Sequence, residues 1–207
     1  PSKDCLKNLT AYANNNSYIG PIVLDTKQED KLSFSLRLAN SLQVFESYSQ
    51  VLDYLHNEVN IPNVILPFNG TFIARELIQK IGLPHKCYFI WGDEREYTLR
   101  AKKYNADIFT VSSAIFYHPA DSSSSIPMFF GKLRFNYANS DLKQYCFCRN
   151  TIAMFKEHQG LHYSFAFLIK TLWFFIFTKP NFKKLKLACR AMWHGLRNDF
   201  SHHREYL

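Results

Sequence analysis

The sequence has no CxxC pair, and its five cysteines are an odd number without even spacing. A disulfide framework and a thiolate zinc site are therefore not expected, and a reduced, cytoplasmic protein is. Cys146 and Cys148 are two apart, so on a helix they face different directions and suit neither a bridge nor a zinc ion. Small apolar fillers is the plain reading of all five. No charged-then-apolar leader opens the chain, and no internal repeat runs through it. The run "FAFLIKTLWFFIF", Phe165–Phe177, stops at 13 residues and carries Lys170. That is short of the ~20 apolar residues of a membrane span. No RNA- or DNA-binding motif is present and the aromatics form no stacking platform, so a nucleic-acid partner is not expected.

What is present is a chain of 207 residues, enough for one domain with a real core or a domain plus an appendage. Aromatics reach 16%, with 19 Phe and 12 Tyr. The formal charge is +8, concentrated between Lys179 and Arg204, which points to an anionic partner for the tail. The first residues, "PSKDCLKNLTAYANNN", read as a helix in progress, with Ser2 as N-cap and Leu6, Leu9 and Tyr12/Ala13 as the apolar stripe. A chain entered in its middle, a fragment, is the expectation.

"YIGPIVLD" (Tyr18–Asp25) is a short β-rich run broken at Gly20-Pro21, and "KLSFSLRLA" alternates as a half-buried strand does. Residues 41–60 are polar with some helical spacing at Val44, Tyr48, Val51 and Leu55. "NVILPFNGTFIA" reads as an apolar strand running into a turn at Asn69-Gly70, and "RELIQKIGLP" as a helix stopped by Gly82. A strand "CYFIW", a turn at Gly92 and a helix from Asp93 to about Tyr104 follow. "ADIFTVSSAIFYHP" gives two short strands ending at His118, and Ser122–Ser125 a mobile loop. From Asp141 the chain reads as helical: Leu142–Gln159, Tyr163–Phe177 and Asn181–Phe200. The fold class is thus α/β over residues 1–140, followed by an aromatic and basic α-helical extension over 141–207.

The acidic turn Asp93-Glu94-Arg95-Glu96 has three readings: a helix cap, a metal site or a proton acceptor. Strand, glycine turn and helix together deliver side chains to the C-terminal edge of a sheet, where open α/β sheets bind ligands. A carboxylate there is held as the anion by free N–H groups and suits a base. Alternatively Asp93 and Glu96 form a D-x-x-E capping box. His118, at a strand end, could ligate a divalent metal or hold an anion, or be a half-exposed histidine with neither role.

Taken in order, "FNGTFIARELIQKIGLP", "WGDEREYTLR", "AIFYH" and "QYCFCRNTIAMFKEH" resemble the second half of family 2 glycosyltransferases, nearest the rhamnosyl- and galactofuranosyl-transferase branch. The opening "PSKDCLKNL" is similar to the helix that follows that family's D-x-D motif. The likeness covers about residues 1–160. It implies a partial GT-A (Rossmann-like) domain, the acceptor side of an inverting transferase that takes a nucleotide-sugar donor and a saccharide or lipid-linked acceptor for surface polysaccharide. By position, Glu94 is the implied base, and Asp93 holds the acceptor or Glu94 itself. Asn69, Gly70 and Thr71 line the acceptor side, and Arg149 with Asn150 matches the family's Arg-Asn helix, Arg149 on the substrate. Trp91 stacks on a sugar or belongs to the core. His118 matches the histidine that helps bind a divalent metal, Mg or Mn, bridging the diphosphate. The chain has no D-x-D motif and places Glu where Asp is commoner at the base. The first departure leaves open a non-catalytic, membrane- or partner-binding remnant.

In the tail, Lys179, Lys183, Lys184, Lys186, Arg190 and Arg197 interleave with Phe182, Leu185, Leu187, Met192 and Trp193. An apolar segment joined to a basic amphipathic helix fits an anionic membrane face, hence a peripheral protein on the inner side of the cell membrane. Packing on the catalytic domain or in a homo-oligomer is the alternative.

Overall fold

The computed structural model describes residues 1–38, 41, 43–56, 58–120 and 125–207. Two compact units divide the chain, one of residues 1–83 and 98–122, the other of 84–97 and 123–207.

In the first unit, helix α1 (Cys5–Thr10) precedes β1 (Ser17–Asp25), β2 (Lys31–Arg37) and β3 (Val44–Ser47). Helix α2 (Tyr48–Leu55), β4 (Asn60–Pro62), β5 (Phe72–Ile73) and α3 (Arg75–Ile81) follow. Helix α4 (Asp93–Lys103) gives its first turn to the second unit and the rest to this one, before β6 (Asp107–His118). The sheet runs β3-β2-β1-β6-β4, with β5 also on β1; among the described residues only β1 and β6 pair in parallel. All nine residues of β1 are buried, as in a strand covered on both faces. Pro21 does not break it. The register with β6 jumps from Pro21–Val111 to Ile22–Ile115, and a proline is tolerated in an inner strand at such a bulge. The bulged backbone stays satisfied: the Ser112 carbonyl accepts from Tyr48 Oη at 3.1 Å and the Ser113 carbonyl from Asn8 Nδ2 at 2.6 Å.

Several local expectations change here. In α1 the inward pair is Cys5 and Leu9, while Leu6 is 66% exposed and Asp4, not Ser2, stands at the N-cap. Residues 107–118 are one bulged strand, not two short ones. Asn63–Thr71 forms turns and irregular backbone between β4 and β5, because Pro62 and Pro67 interrupt any ladder. Residues 44–55 divide into a strand and a helix, and the capping box lies at Ser47, whose side chain accepts from Gln50 N–H while Gln50 reaches back. The β2 alternation and the Gly82 stop of α3 hold, Gly82 standing at φ 75°.

In the second unit, a hairpin of β7 (Ser125–Met128) and β8 (Leu133–Asn136) precedes α5 (Asp141–His158), α6 (Leu161–Trp173) and α7 (Phe182–Leu196). The hairpin has no counterpart in the sequence reading. Of the expected serine loop, Ser122, Ser123 and Ser124 lie outside the described residues, and Ser125 opens β7. The abundant aromatics find their use in this core: Phe135 is buried against Phe174, ring centres 4.3 Å apart, with Phe147, Phe167 and Phe175 around it. Gly195 lets α7 approach α5, since a Cβ there would lie 2.3 Å from the Arg149 carbonyl oxygen.

A π-helical turn, Phe174–Thr178, extends α6. The whole run Leu161–Thr178 is 18 residues, long and apolar enough to cross a membrane by length and composition, with 28% of it buried. Counting only 13 apolar residues understates that length. Leu161, Phe165, Ile169, Trp173 and Phe177 form an exposed stripe at helical spacing. On α7, Phe182, Lys183, Lys186, Arg190, Trp193 and Arg197 are exposed, whereas Lys184 is buried with Nζ 2.7 Å from Asp141 Oδ1. Lys184 is therefore a buried cation paired with the partly exposed Asp141, and not a surface charge. A cleft of about 400 Å³ between α5, α6 and α7 is lined by Ile152, Phe165, Leu168, Met192, Trp193 and Leu196, among others.

Candidate functional site

The segment expected to be the strand "CYFIW" is a single 3-10 turn, Lys86–Tyr88, followed by irregular backbone. Phe89 and Trp91 take left-handed conformations at φ 64° and 59°, and Gly92 stands at φ 104°. Two non-glycine residues in that region need outside support. Residues Arg149 and Asn150 of α5 supply it. Asn150 Nδ2 donates to the carbonyls of Tyr88, Ile90 and Trp91 at 2.9, 3.0 and 2.6 Å. Arg149, at 0% exposure, donates to the carbonyls of Tyr88 (3.0 Å), Cys87 (3.3 Å) and Phe200 (3.2 Å) and to Asn150 Oδ1 (2.9 Å). The guanidinium is spent on backbone, so it shapes the turn rather than offering donors to a ligand. Gly92 is required on two counts, its positive φ and the 3.1 Å that a Cβ would leave to Asn150 Cβ.

From this turn α4 starts. The Gly92 carbonyl accepts from Glu96 N–H at 2.8 Å, so Asp93 is the first helical residue and not the cap. The D-x-x-E box is thereby out of register. Glu96 is 0% exposed, its carboxylate 3.2 Å from His158 Nε2. Glu94 Oε2 accepts from Gly92 N–H at 3.1 Å. Burial, then the hydrogen bond and charge of the Asp93 carboxyl beside it, push the Glu94 carboxyl up to about 7. The expected carboxylate held as the anion is thus replaced by a carboxyl poised near neutrality, because desolvation and a like charge outweigh the helix N-terminus. Such a group accepts a proton efficiently at physiological pH. Trp91 is half-buried, edge-on to Phe147 with ring centres 5.8 Å apart.

The other expected residues belong to the first unit. His118 ends β6, in register with Asp25 of β1, its ring 5.2 Å from that of Phe34. Its Nδ1 lies 2.7 Å from the Pro119 carbonyl and donates to it, so Nε2 is the nitrogen that a neutral ring would offer to a metal. Asp25 is buried, and the Ala120 N–H that it accepts at 3.1 Å helps hold its carboxyl below the usual range. Asn69 and Thr71 bond within their own loop, to the carbonyls of Pro67 (3.0 Å) and Leu66 (3.5 Å). Gly70, φ 74°, sits so close to Phe116 that a Cβ would lie 2.5 Å from its ring. The structure thus groups Trp91, Asp93, Glu94 and Arg149 in one unit and Asn69, Gly70, Thr71 and His118 in the other.

Sequence reasoning missed the cluster of Glu96 with His158 and Glu157, whose ligand atoms lie within 4.8 Å of one another. Sixty-two residues separate Glu96 from His158, and no local spacing joins them.

No family model matches the chain. It is similar to the galactofuranosyltransferase GlfT1 of Mycobacterium tuberculosis (strain ATCC 25618 / H37Rv), 25% identical over 183 residues, 88% of this chain and 59% of that protein. It is also similar to the galactofuranosyltransferase GlfT1 of Mycolicibacterium smegmatis, 21% identical over 140 residues, 68% of this chain and 46% of that protein. The chain therefore spans 46–59% of the length of these relatives. The relationship is distant, and it is to glycosyltransferases.

Proposed function

We propose that the chain is the acceptor-side part of an inverting, GT-A type glycosyltransferase of family 2, acting in the synthesis of a surface polysaccharide. Residues 1–140 would belong to the catalytic domain and 141–207 to a helical extension. The observation that carries this reading is Glu94, a carboxyl raised to about 7 beside Asp93 on a turn braced by Arg149 and Asn150. Glu94 takes the proton of the acceptor hydroxyl as that oxygen attacks the anomeric carbon of the nucleotide-sugar, and the nucleoside diphosphate leaves. Asp93 keeps the proton affinity of Glu94 high and orients it. On the family resemblance, Trp91 stacks on a sugar, and Asn69, Gly70 and Thr71 serve the acceptor. Arg149 is a positioning residue here. His118, through Nε2, would help hold a divalent ion, Mg or Mn, which would supply positive charge to the diphosphate leaving group.

The extension supports a place on the inner face of the cell membrane. Its exposed apolar stripe on α6 and mixed basic and aromatic face on α7 suit an anionic lipid surface, and its apolar cleft favours a lipid-linked over a free saccharide acceptor. The test is sugar transfer by the longest open reading frame that contains this sequence, across a panel of nucleotide-sugars and saccharide-lipid acceptors. Glu94→Gln should abolish transfer with folding intact; transfer near the wild-type rate would sink the assignment of the base. The exposed apolar stripe of α6 beside the basic, aromatic face of α7 favours a second reading, a non-catalytic protein that binds a membrane or a partner. Failure of every nucleotide-sugar to bind that same open reading frame would select it.

A further inference from the structure

Beyond the proposed transferase site, the second unit carries a cluster that the chemistry above does not use. Glu96, in the first turns of α4, is fully buried, and His158, near the end of α5, has a side chain only 5% exposed. His158 Nε2 lies 3.2 Å from Glu96 Oε1 and 4.0 Å from Glu157 Oε1. A second imidazole, His85, brings its Nε2 to 4.0 Å from Glu96 Oε1. The side chains of Glu157 and His85 are 55% and 46% exposed, so one flank of the cluster opens to water.

Zn–N and Zn–O bonds of about 2.1 Å place neighbouring ligand atoms of a tetrahedral ion about 3.4 Å apart. The Glu96–His158 pair already stands near that separation. The atoms of Glu96, Glu157 and His158 all lie within 4.8 Å of one another, and rotation of the half-exposed Glu157 and His85 side chains would bring each closer from 4.0 Å. Mixed imidazole and carboxylate donors suit a borderline first-row ion better than magnesium or calcium, which prefer oxygen alone. A buried carboxylate as the central ligand supplies charge where water does not compete.

We propose that Glu96, His158 and Glu157, joined by His85, form a Zn²⁺ site that ties the first turns of α4 to the end of α5. The site is separate from His118 and from any ion on a diphosphate. Its role is to hold the start of α4, two residues from Glu94, in place.

The experiment is isothermal titration of the chelator-stripped full chain with ZnCl₂, beside the visible spectrum of the Co²⁺-loaded protein. One saturable equivalent is expected, with a Co²⁺ spectrum of low coordination number. Because Glu96 and His158 are buried, the deciding variants are the exposed ones. Glu157→Gln and His85→Ala should each weaken Zn²⁺ by about tenfold or more while circular dichroism stays unchanged. His118→Ala and His202→Ala should leave it intact. No saturable binding by the wild-type chain would overturn the site and leave a histidine–glutamate ion pair. Binding that survives Glu157→Gln with His85→Ala, or that His202→Ala removes, would also overturn it. None of these outcomes depends on sugar transfer, so the site and the transferase reading fail separately.

Discussion

The side-chain amide of Asn150 lies 2.6 Å from the carbonyl oxygen of Trp91, the residue that leads into the acidic turn. With the bonds to Tyr88 and Ile90, this one amide holds three carbonyls of the segment that contains the left-handed residues Phe89 and Trp91. Its truncation would take this donor from the Ile90 and Trp91 carbonyls, while Arg149 would still donate to that of Tyr88.

Asn150→Ala is therefore expected to cost about 2–4 kcal/mol, the range for emptying a buried hydrogen-bond network. Urea denaturation followed by circular dichroism measures it. A loss below about 1 kcal/mol would mean that the turn is set by other contacts.

Gly195→Ala reverses the ordinary helix rule. In an exposed helix interior alanine is favoured over glycine by about 1 kcal/mol. Here the new Cβ meets backbone, 2.3 Å from the Arg149 carbonyl oxygen and 3.1 Å from its carbon. The helices α5 and α7 must part, and a net destabilisation of about 1–3 kcal/mol is expected. Thermal melting decides it: a raised Tm would contradict the close crossing.

The Glu94 carboxyl gives two pH signatures. Its folded value, about 7, lies above its ordinary value, so the folded protein holds a proton that the unfolded chain releases earlier. Stability from this group is present below the unfolded value and is lost as pH rises toward 7. Glu94→Gln should consequently gain stability relative to the wild type at pH 8 but not at pH 4. In the proposed reaction, kcat/KM should rise with pH through about 7 in the wild type, since the base acts unprotonated. Denaturation at the two pH values and a pH–rate profile check each separately.

Vesicle binding tests the tail. Lys183 and Lys186 project from the exposed face of α7, while Lys184 is paired inside. Lys183→Gln with Lys186→Gln should weaken co-sedimentation with anionic vesicles by roughly thirtyfold, from about 1 kcal/mol per cation removed. Added salt should weaken the wild type likewise. Equal binding by variant and wild type would remove α7 from the membrane account.

Much of the plan was legible because it rests on local chemistry. Gly82 stops α3, the β2 alternation marks a half-buried strand, and the aromatic tail folds as helices. The stretch before Gly92 was not legible. "CYFIW" has strand composition, yet donors from α5 pull it into left-handed backbone, and no propensity scale sees a partner some sixty residues away. The same holds for Lys184, whose charge reads as surface until Asp141 and the carbonyls of Ala138 and Asn139 surround it. Glu94 was found by its pattern, but its proton affinity depends on burial, which the pattern does not encode.

The bonds that shape the acidic turn join residues 59 to 62 positions apart. Closing so long a loop costs entropy before any of these bonds can form, so the turn gains its shape only once α5 is in place. The geometry around Glu94 is in this sense a late product of folding. A slackened α5 would cost the turn its shape while the local elements of the sheet, which need no such long closure at β2 and β3, could still stand.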